Sequence, residues 1–138
     1  MARLASLVLV VRNLERALAV YEHGLGFERV EGPSEVPSLG ARHALLRGEN
    51  CMLEVLEPRD EAMPPGIFLK ARGEGVFALG VAVPAPGQVT ERLKQAFVRV
   101  RGGSEESAGR PRRLFIAPTD ANGVLIEVSA PAEEPKTP

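Results

Sequence analysis

The chain has 138 residues, 44% hydrophobic and 25% charged, and its 17 basic and 18 acidic residues leave a formal net charge of −1. That size suits one compact domain or two half-domains sharing a core, and the charge balance gives no general electrostatic footprint for nucleic acid or an anionic membrane. One cysteine, Cys51, excludes an internal disulfide framework and a cysteine-based zinc site; its expected role is a small packed hydrophobe.

In chain order, residues 4–11 are aliphatic and β-branched and predict a strand. The run is too short to cross a bilayer and has no small-residue cleavage pattern behind it, so a cytoplasmic protein is expected. Asn13 offers an N-cap oxygen to a helix starting at Leu14. Leu14, Ala17, Leu18, Tyr21 and Leu25 recur at helical spacing and predict one buried face, ended by Gly24 and Gly26. A short strand is expected at 27–31, a proline-broken loop at 32–40, and strands at 41–47 and 51–56 separated by the turn "GEN". A linker, "EPRDEAMPPG", follows, with a helical turn at 67–71.

The order then begins again. A strand at 76–83 leads to a helix over 86–97 carrying Val89, Leu93 and Ala96, then to strands at 98–101, 113–117 and 124–128, with "GGSEESAGRP" as a loop. Both halves read β-α-β-β-β. Placing Ser6 on Ala78 offsets the halves by 72 residues, and placing Glu54 on Glu127 offsets them by 73. The agreement predicts a duplicated module, with residues 1–66 as the first copy and start of the linker, 67–131 as the second, and a disordered tail at 132–138 rich in proline and charge.

Strand alternation assigns faces. Leu7, Leu9 and Val11 suit packing under a helix, as do Leu79, Val81 and Val83; Ser6, Val8 and Val10 point the other way, as do Ala78, Gly80 and Ala82. Met52, Glu54 and Leu56 share a face, as do Leu125, Glu127 and Ser129, and these are expected to look into one cavity. Burying an ionised group without a partner is costly, so two carboxylates at equivalent places in apolar strands point to polar anchors or proton-binding groups. His43 alternates with Arg42 and Ala44 and faces either the pocket or the helix; a structural role is expected of it, and of His23 at a helix end. "GRPRR" at 109–113, with Arg99 and Arg101, could meet the phosphates of a ligand, but Glu105 and Glu106 favour a solvated hairpin with local ion pairs. Lys70 and Arg72 carry the same two readings, while Gly73 and Gly75 serve backbone geometry.

The stretch "LASLVLVVRNLERALAVYEHGLGFERV" resembles the opening strand and helix of the vicinal oxygen chelate superfamily, which includes glyoxalase I, bleomycin-resistance proteins, extradiol dioxygenases and methylmalonyl-CoA epimerase. "LEVLEP", "PPGIFLKARGEGV" and "APTDANGVLIEVSAP" are similar in order and wording to the epimerases, across most of residues 4–131. The resemblance implies an α+β fold of two tandem βαβββ modules forming an incomplete barrel, a divalent metal held within it, and often a homodimer sharing edge strands or helical faces.

In that family the first and fourth strands of both modules supply four metal ligands. Glu54 and Glu127 match the fourth-strand pair, whereas Ser6 and Ala78 stand where the epimerases carry histidines. Ser38, in "VPSLG", stands where they carry a proton-transferring glutamate. These departures lead to the expectation of a diverged, epimerase-like protein that binds a small organic acid or acyl thioester, such as an acyl-CoA, without the usual metal centre or another cofactor. Glu54 and Glu127 are then anchors or bases, and Ser6, Ser38, Met52, Ala78 and Gly80 line the ligand site. Two alternatives stay open. One is an isomerase or lyase in which Glu54 and Glu127 hold a divalent ion with unusual partners and the reaction passes through an enolate. The other is a drug-binding protein of bleomycin-resistance type, which five Phe, one Tyr and no Trp make less apt for a planar drug.

Overall fold

Aliphatic and β-branched residues open the fold as strand β1 (Arg3–Val10) in a computed structural model that describes residues 1–102 and 114–131. The expected tail at 132–138, the "GRPRR" motif, Glu105 and Glu106 lie outside the described residues. The chain divides into two units, one of Ala5–Leu79 and one of Met1–Leu4 with Gly80–Pro138. No helix among the described residues is long and apolar enough to cross a membrane.

In the first unit β1 leads to helix α1 (Leu14–Leu18), capped by the Asn13 side chain, which accepts from the Arg16 amide at 2.9 Å. β2 (Glu28–Val36), β3 (Ala41–Arg47), β4 (Met52–Pro58) and helix α2 (Pro64–Arg72) follow. The strand order is β2-β3-β4-β1, with β3 antiparallel to β2 and β4, and β4 parallel to β1. Val11, Leu14, Ala17, Leu18, Ala44, Leu46, Leu53 and Val55 form its core, with Leu7, Leu9, Tyr21 and Phe27 packed against it. The bulky set of β1 therefore lies under the helix, as alternation predicts. Leu14, Leu46 and Val55 are each 0% exposed, and full burial of such a side chain stabilises by roughly 1.5–3 kcal/mol.

Four local expectations are corrected. The first helix is not regular to Gly24: after Leu18 it widens into a π-helical turn, Ala19–Gly24, and the Leu25 amide donates to the Val20 carbonyl at 2.9 Å. The extra residue rotates the following side chains off the α-helical face, which leaves Leu25 65% exposed. Next, residues 32–36 are strand, not loop, because β2 keeps pairing with β3 through two register shifts that take up the irregular residues. Gly32 makes the approach feasible: its φ is +92°, and a Cβ there would collide with the His43 carbonyl oxygen. Finally, Glu57 and Pro58 continue β4, and the turn expected at 67–71 is a full helix from Pro64 to Arg72, with proline in its first turn and Gly73 at φ +79° as its cap.

The second unit takes up the end of β5 (Gly75–Ala82), then α3 (Pro86–Gln95), β6 (Val100–Gly102), β7 (Leu114–Ile116) and β8 (Leu125–Ser129). β7 lies antiparallel between β6 and β8, and the Val83 amide donates to the Ser129 carbonyl at 2.8 Å. Val83, Leu114, Ile116, Ala121 and Val128 are its core, with Val81 and, from α3, the half-buried Val89 and Leu93 packed on them, as their four-residue spacing predicts; the helix ends at Gln95, and Ala96, expected on the same face, is exposed. The fold class is α+β, and the order β-α-β-β-β occurs twice.

Candidate functional site

Because Leu53, Val55, Ala44 and Leu46 face the first unit's core, the alternate residues of β3 and β4 leave the sheet on its other side. That settles His43, whose direction alternation alone left open: it shares a face with Glu54. In the ladder Glu54 stands opposite Leu45, and His43 opposite Leu56, so the two polar side chains are diagonal neighbours across antiparallel strands. They meet. His43 Nδ1 lies 2.7 Å from Glu54 Oε2, and the two side chains are 12% and 24% exposed.

On the far side of the ring, Glu31 Oε1 is 3.8 Å from His43 Nε2, from a carboxylate 56% exposed. Ser34 stands directly opposite His43 in the β2–β3 ladder, and its buried hydroxyl has no hydrogen-bond partner among the described residues. Apolar residues flank the cluster along the ladders: Val8, opposite Glu54 on β1, is 7% exposed, and Leu56, opposite His43, is 1% exposed. An ionised carboxylate only accepts hydrogen bonds. With Glu54 ionised, the 2.7 Å contact is made by an Nδ1–H, and the donor and acceptor roles of the two ring nitrogens follow the tautomer.

The opposite side of the same strands carries a second polar cluster. Arg42 donates through Nε to Glu57 Oε1 at 2.9 Å and through Nη2 to Glu57 Oε2 at 3.1 Å, and also to Glu15 Oε2 of α1 at 2.6 Å. Glu57 Oε2 in turn accepts from the Leu14 amide at 2.7 Å, satisfying one of the free donors at the start of α1. The Arg42 guanidinium holds the Glu57 carboxyl below the usual carboxylate range against the opposing effect of burial, with the Leu14 amide helping. Arg42 likewise lowers the Glu15 pKa, and Glu57 chiefly raises that of Arg42.

Among the other sequence-predicted residues, Ser6 and Met52 are partners across β1 and β4 and lie on the Glu54 face, both partly exposed. Ser38 is exposed in the 3-10 turn Pro37–Leu39, before β3. Ala78 is 4% exposed, and Gly80 is buried in the part of β5 that belongs to the second unit. Glu127 lies in β8 opposite Phe115, partly exposed. Among the described residues no group of three or more His, Cys, Asp or Glu side chains is arranged to hold a metal ion. Of the residues weighed for phosphate contacts, Lys70 is 3.5 Å from Glu61, and Arg72 lies over the Phe68 ring at 5.8 Å. His23 lies in the last turn of the π-helical segment, one residue before its end at Gly24.

The Glyoxalase/Bleomycin resistance protein/Dioxygenase superfamily profile matches residues 3–128. An ethylmalonyl-CoA/methylmalonyl-CoA epimerase of Cereibacter sphaeroides is 33% identical over 129 residues, 91% of this chain and 96% of that protein. The fold superposes on the methylmalonyl-CoA epimerase of Mycobacterium tuberculosis with a TM-score of 0.79 at 30% identity, covering 95% of this chain and 89% of that one. A methylmalonyl-CoA epimerase solved with methylmalonyl-CoA and NH4+ gives a TM-score of 0.80 at 26% identity, covering 98% and 99% of the two chains.

Proposed function

The chain belongs to the Glyoxalase/Bleomycin resistance protein/Dioxygenase superfamily, and from that premise we propose that it binds the coenzyme A thioester of a small organic acid, using polar side chains in place of a histidine-built metal centre. The observation that carries this reading is the match, over nine-tenths of the chain, to an epimerase of ethylmalonyl-CoA and methylmalonyl-CoA. A similar epimerase solved with methylmalonyl-CoA supports the same ligand class.

The donor set supports the second half of the reading. At the positions where the resemblance puts histidine, Ser6 offers only a neutral hydroxyl and Ala78 only a methyl group. Glu54 already places Oε2 on an imidazole at 2.7 Å. Imidazole ligands suit zinc, copper, iron and nickel, and carboxylates suit harder ions such as magnesium and manganese; of the four family positions only the carboxylates of Glu54 and Glu127 remain. Glu54 and Glu127 are accordingly assigned as polar anchors, each open to test by its own Gln variant, and a homodimer, checked by sedimentation equilibrium, is part of the same reading.

The test is a thermal-shift series on the full chain with methylmalonyl-CoA, free methylmalonate and coenzyme A. A ligand that binds only the native state stabilises it by mass action, about 2.7 kcal/mol at a hundredfold excess over Kd. A rise in Tm with the ester that exceeds the rise with either fragment is expected. No rise with any acyl-CoA overturns the proposal, and a tightly bound stoichiometric divalent ion in protein purified without chelators overturns its metal-free half.

A further inference from the structure

Proton transfer at the carbon beside a thioester carbonyl needs a group that titrates. Ser38, at the position where the resemblance puts a glutamate, is an alcohol exposed in a turn. Five residues on, the chain places an imidazole on the Glu54 face. Three observations mark it as more than packing. Its Nδ1 lies 2.7 Å from Glu54 Oε2, a contact that fixes the ring orientation and, with Glu54 ionised, is made by an Nδ1–H. The ring is 12% exposed, and Leu56, opposite it in the β3–β4 ladder, is 1% exposed, so water competes little there. Beside it, the Ser34 hydroxyl is buried and without a partner among the described residues, and buried polar atoms left unpaired are rare enough to call for a reason, such as a bound ligand or water.

We infer that His43 is the proton-transferring residue of this site, with Glu54 as its positioning residue. The inference rests on the acyl thioester reading above. In the step, the Nε2 lone pair takes the hydrogen α to the thioester carbonyl as a proton, and the C–H bonding pair moves to give the enolate. The imidazolium so formed is matched by the Glu54 carboxylate at Nδ1, and its Nε2–H then returns a proton to the same carbon. Nothing is oxidised or reduced and no group leaves. Glu31, mostly exposed and 3.8 Å from Nε2, gives the ring a route for exchanging its proton with solvent. In D2O the hydrogen returned is therefore deuterium.

The experiment follows methylmalonyl-CoA with the full chain in D2O, reading α-deuterium incorporation by mass at saturating ester and binding separately by calorimetry. Wild-type protein is expected to incorporate deuterium, and His43→Gln to do so about 10²–10⁴-fold more slowly, the range for loss of a general acid–base group. Glu54→Gln is expected to slow exchange and to move His43 away from the Nδ1–H tautomer, read from ring 15N shifts; a residue that only packs would leave the tautomer unmoved. The tautomer measurement on wild-type protein stands even if a variant does not fold. Ester binding without exchange, or exchange undiminished in His43→Gln, overturns the inference and leaves the binding proposal intact. An Nε2–H tautomer in wild-type protein overturns it as well. Absence of ester binding overturns the binding proposal and the inference with it.

Discussion

Replacing Glu57 by Gln removes the charge at the centre of the helix-side cluster while keeping nearly the same volume. Three hydrogen bonds converge on this carboxylate, two from Arg42 and one from the Leu14 amide, at 2.9, 3.1 and 2.7 Å. The Arg42 and Glu57 side chains are 18% and 17% exposed. Breaking a buried pair by removing one partner costs roughly 3–5 kcal/mol because the other charge is left uncompensated. Here Arg42 keeps Glu15 at 2.6 Å, and glutamine still accepts one hydrogen bond, so the expected loss is about 2–3 kcal/mol, the scale of hydrogen bonds to charged groups. For a chain of this length that lowers Tm by roughly 6–12 °C. By contrast Glu22→Gln, at the more exposed Arg29 pair with side chains 37% and 34% exposed, changes stability by less than about 1 kcal/mol.

The sign of the pH dependence follows from the same geometry. The folded-state pKa of Glu57 is lowered, first by Arg42 and then by the Leu14 amide. Its contribution is present above the unfolded carboxylate value of about 4.3 and is lost as pH falls through the folded value. The Tm gap between wild type and Glu57→Gln, measured by calorimetry from pH 7 downward, is expected to be widest near neutrality and to close below about pH 4. A gap under about 1 °C at pH 7, or one that persists unchanged in acid, refutes the reasoning.

The remaining predictions concern backbone and ligands. Gly32→Ala forces a Cβ against the His43 carbonyl at φ +92° and is expected to cost more than about 2 kcal/mol, seen as a lower urea midpoint at unchanged m value; an unmoved midpoint shows that β2 does not need to approach β3 so closely. Ser6→His combined with Ala78→His is expected to confer measurable cobalt or zinc affinity by calorimetry, and a folded double variant that binds no better than the parent removes both positions from the ligand set assigned by resemblance.

The architecture was open to reading because it is written twice, with offsets that differ by one residue, and because Leu14, Ala17 and Leu18 keep helical spacing where the core needs them. What escaped was local. Gly32, Pro33 and Pro37 read as loop formers, yet pairing with β3 overrides that preference as far as Val36. Leu25 fits an ideal helix, but the widened turn after Leu18 carries it to the surface. Glu57 looked like linker because its partners, Arg42 and the Leu14 amide, are distant in sequence. His43 had a usable signal: once Ala44 and Leu46 are taken as the helix side, His43 must share the face of Glu54, and a two-residue diagonal brings them together.

Arg42 and His43 are adjacent residues of β3 that leave the sheet on opposite sides. A β-sheet is one chain thick, so twisting one residue about the strand axis twists the next. The clamp that Glu57 and Glu15 place on Arg42 therefore sets how β3 is rolled, and that roll aims the imidazole behind it. Helix α1, joined to the clamp through Leu14 and Glu15 on the side of the sheet away from the ring, acts as a keel: loosening it is expected to let the ring wander. Variants on the helix side should show their first effects in the His43 spectrum, before the fold gives way.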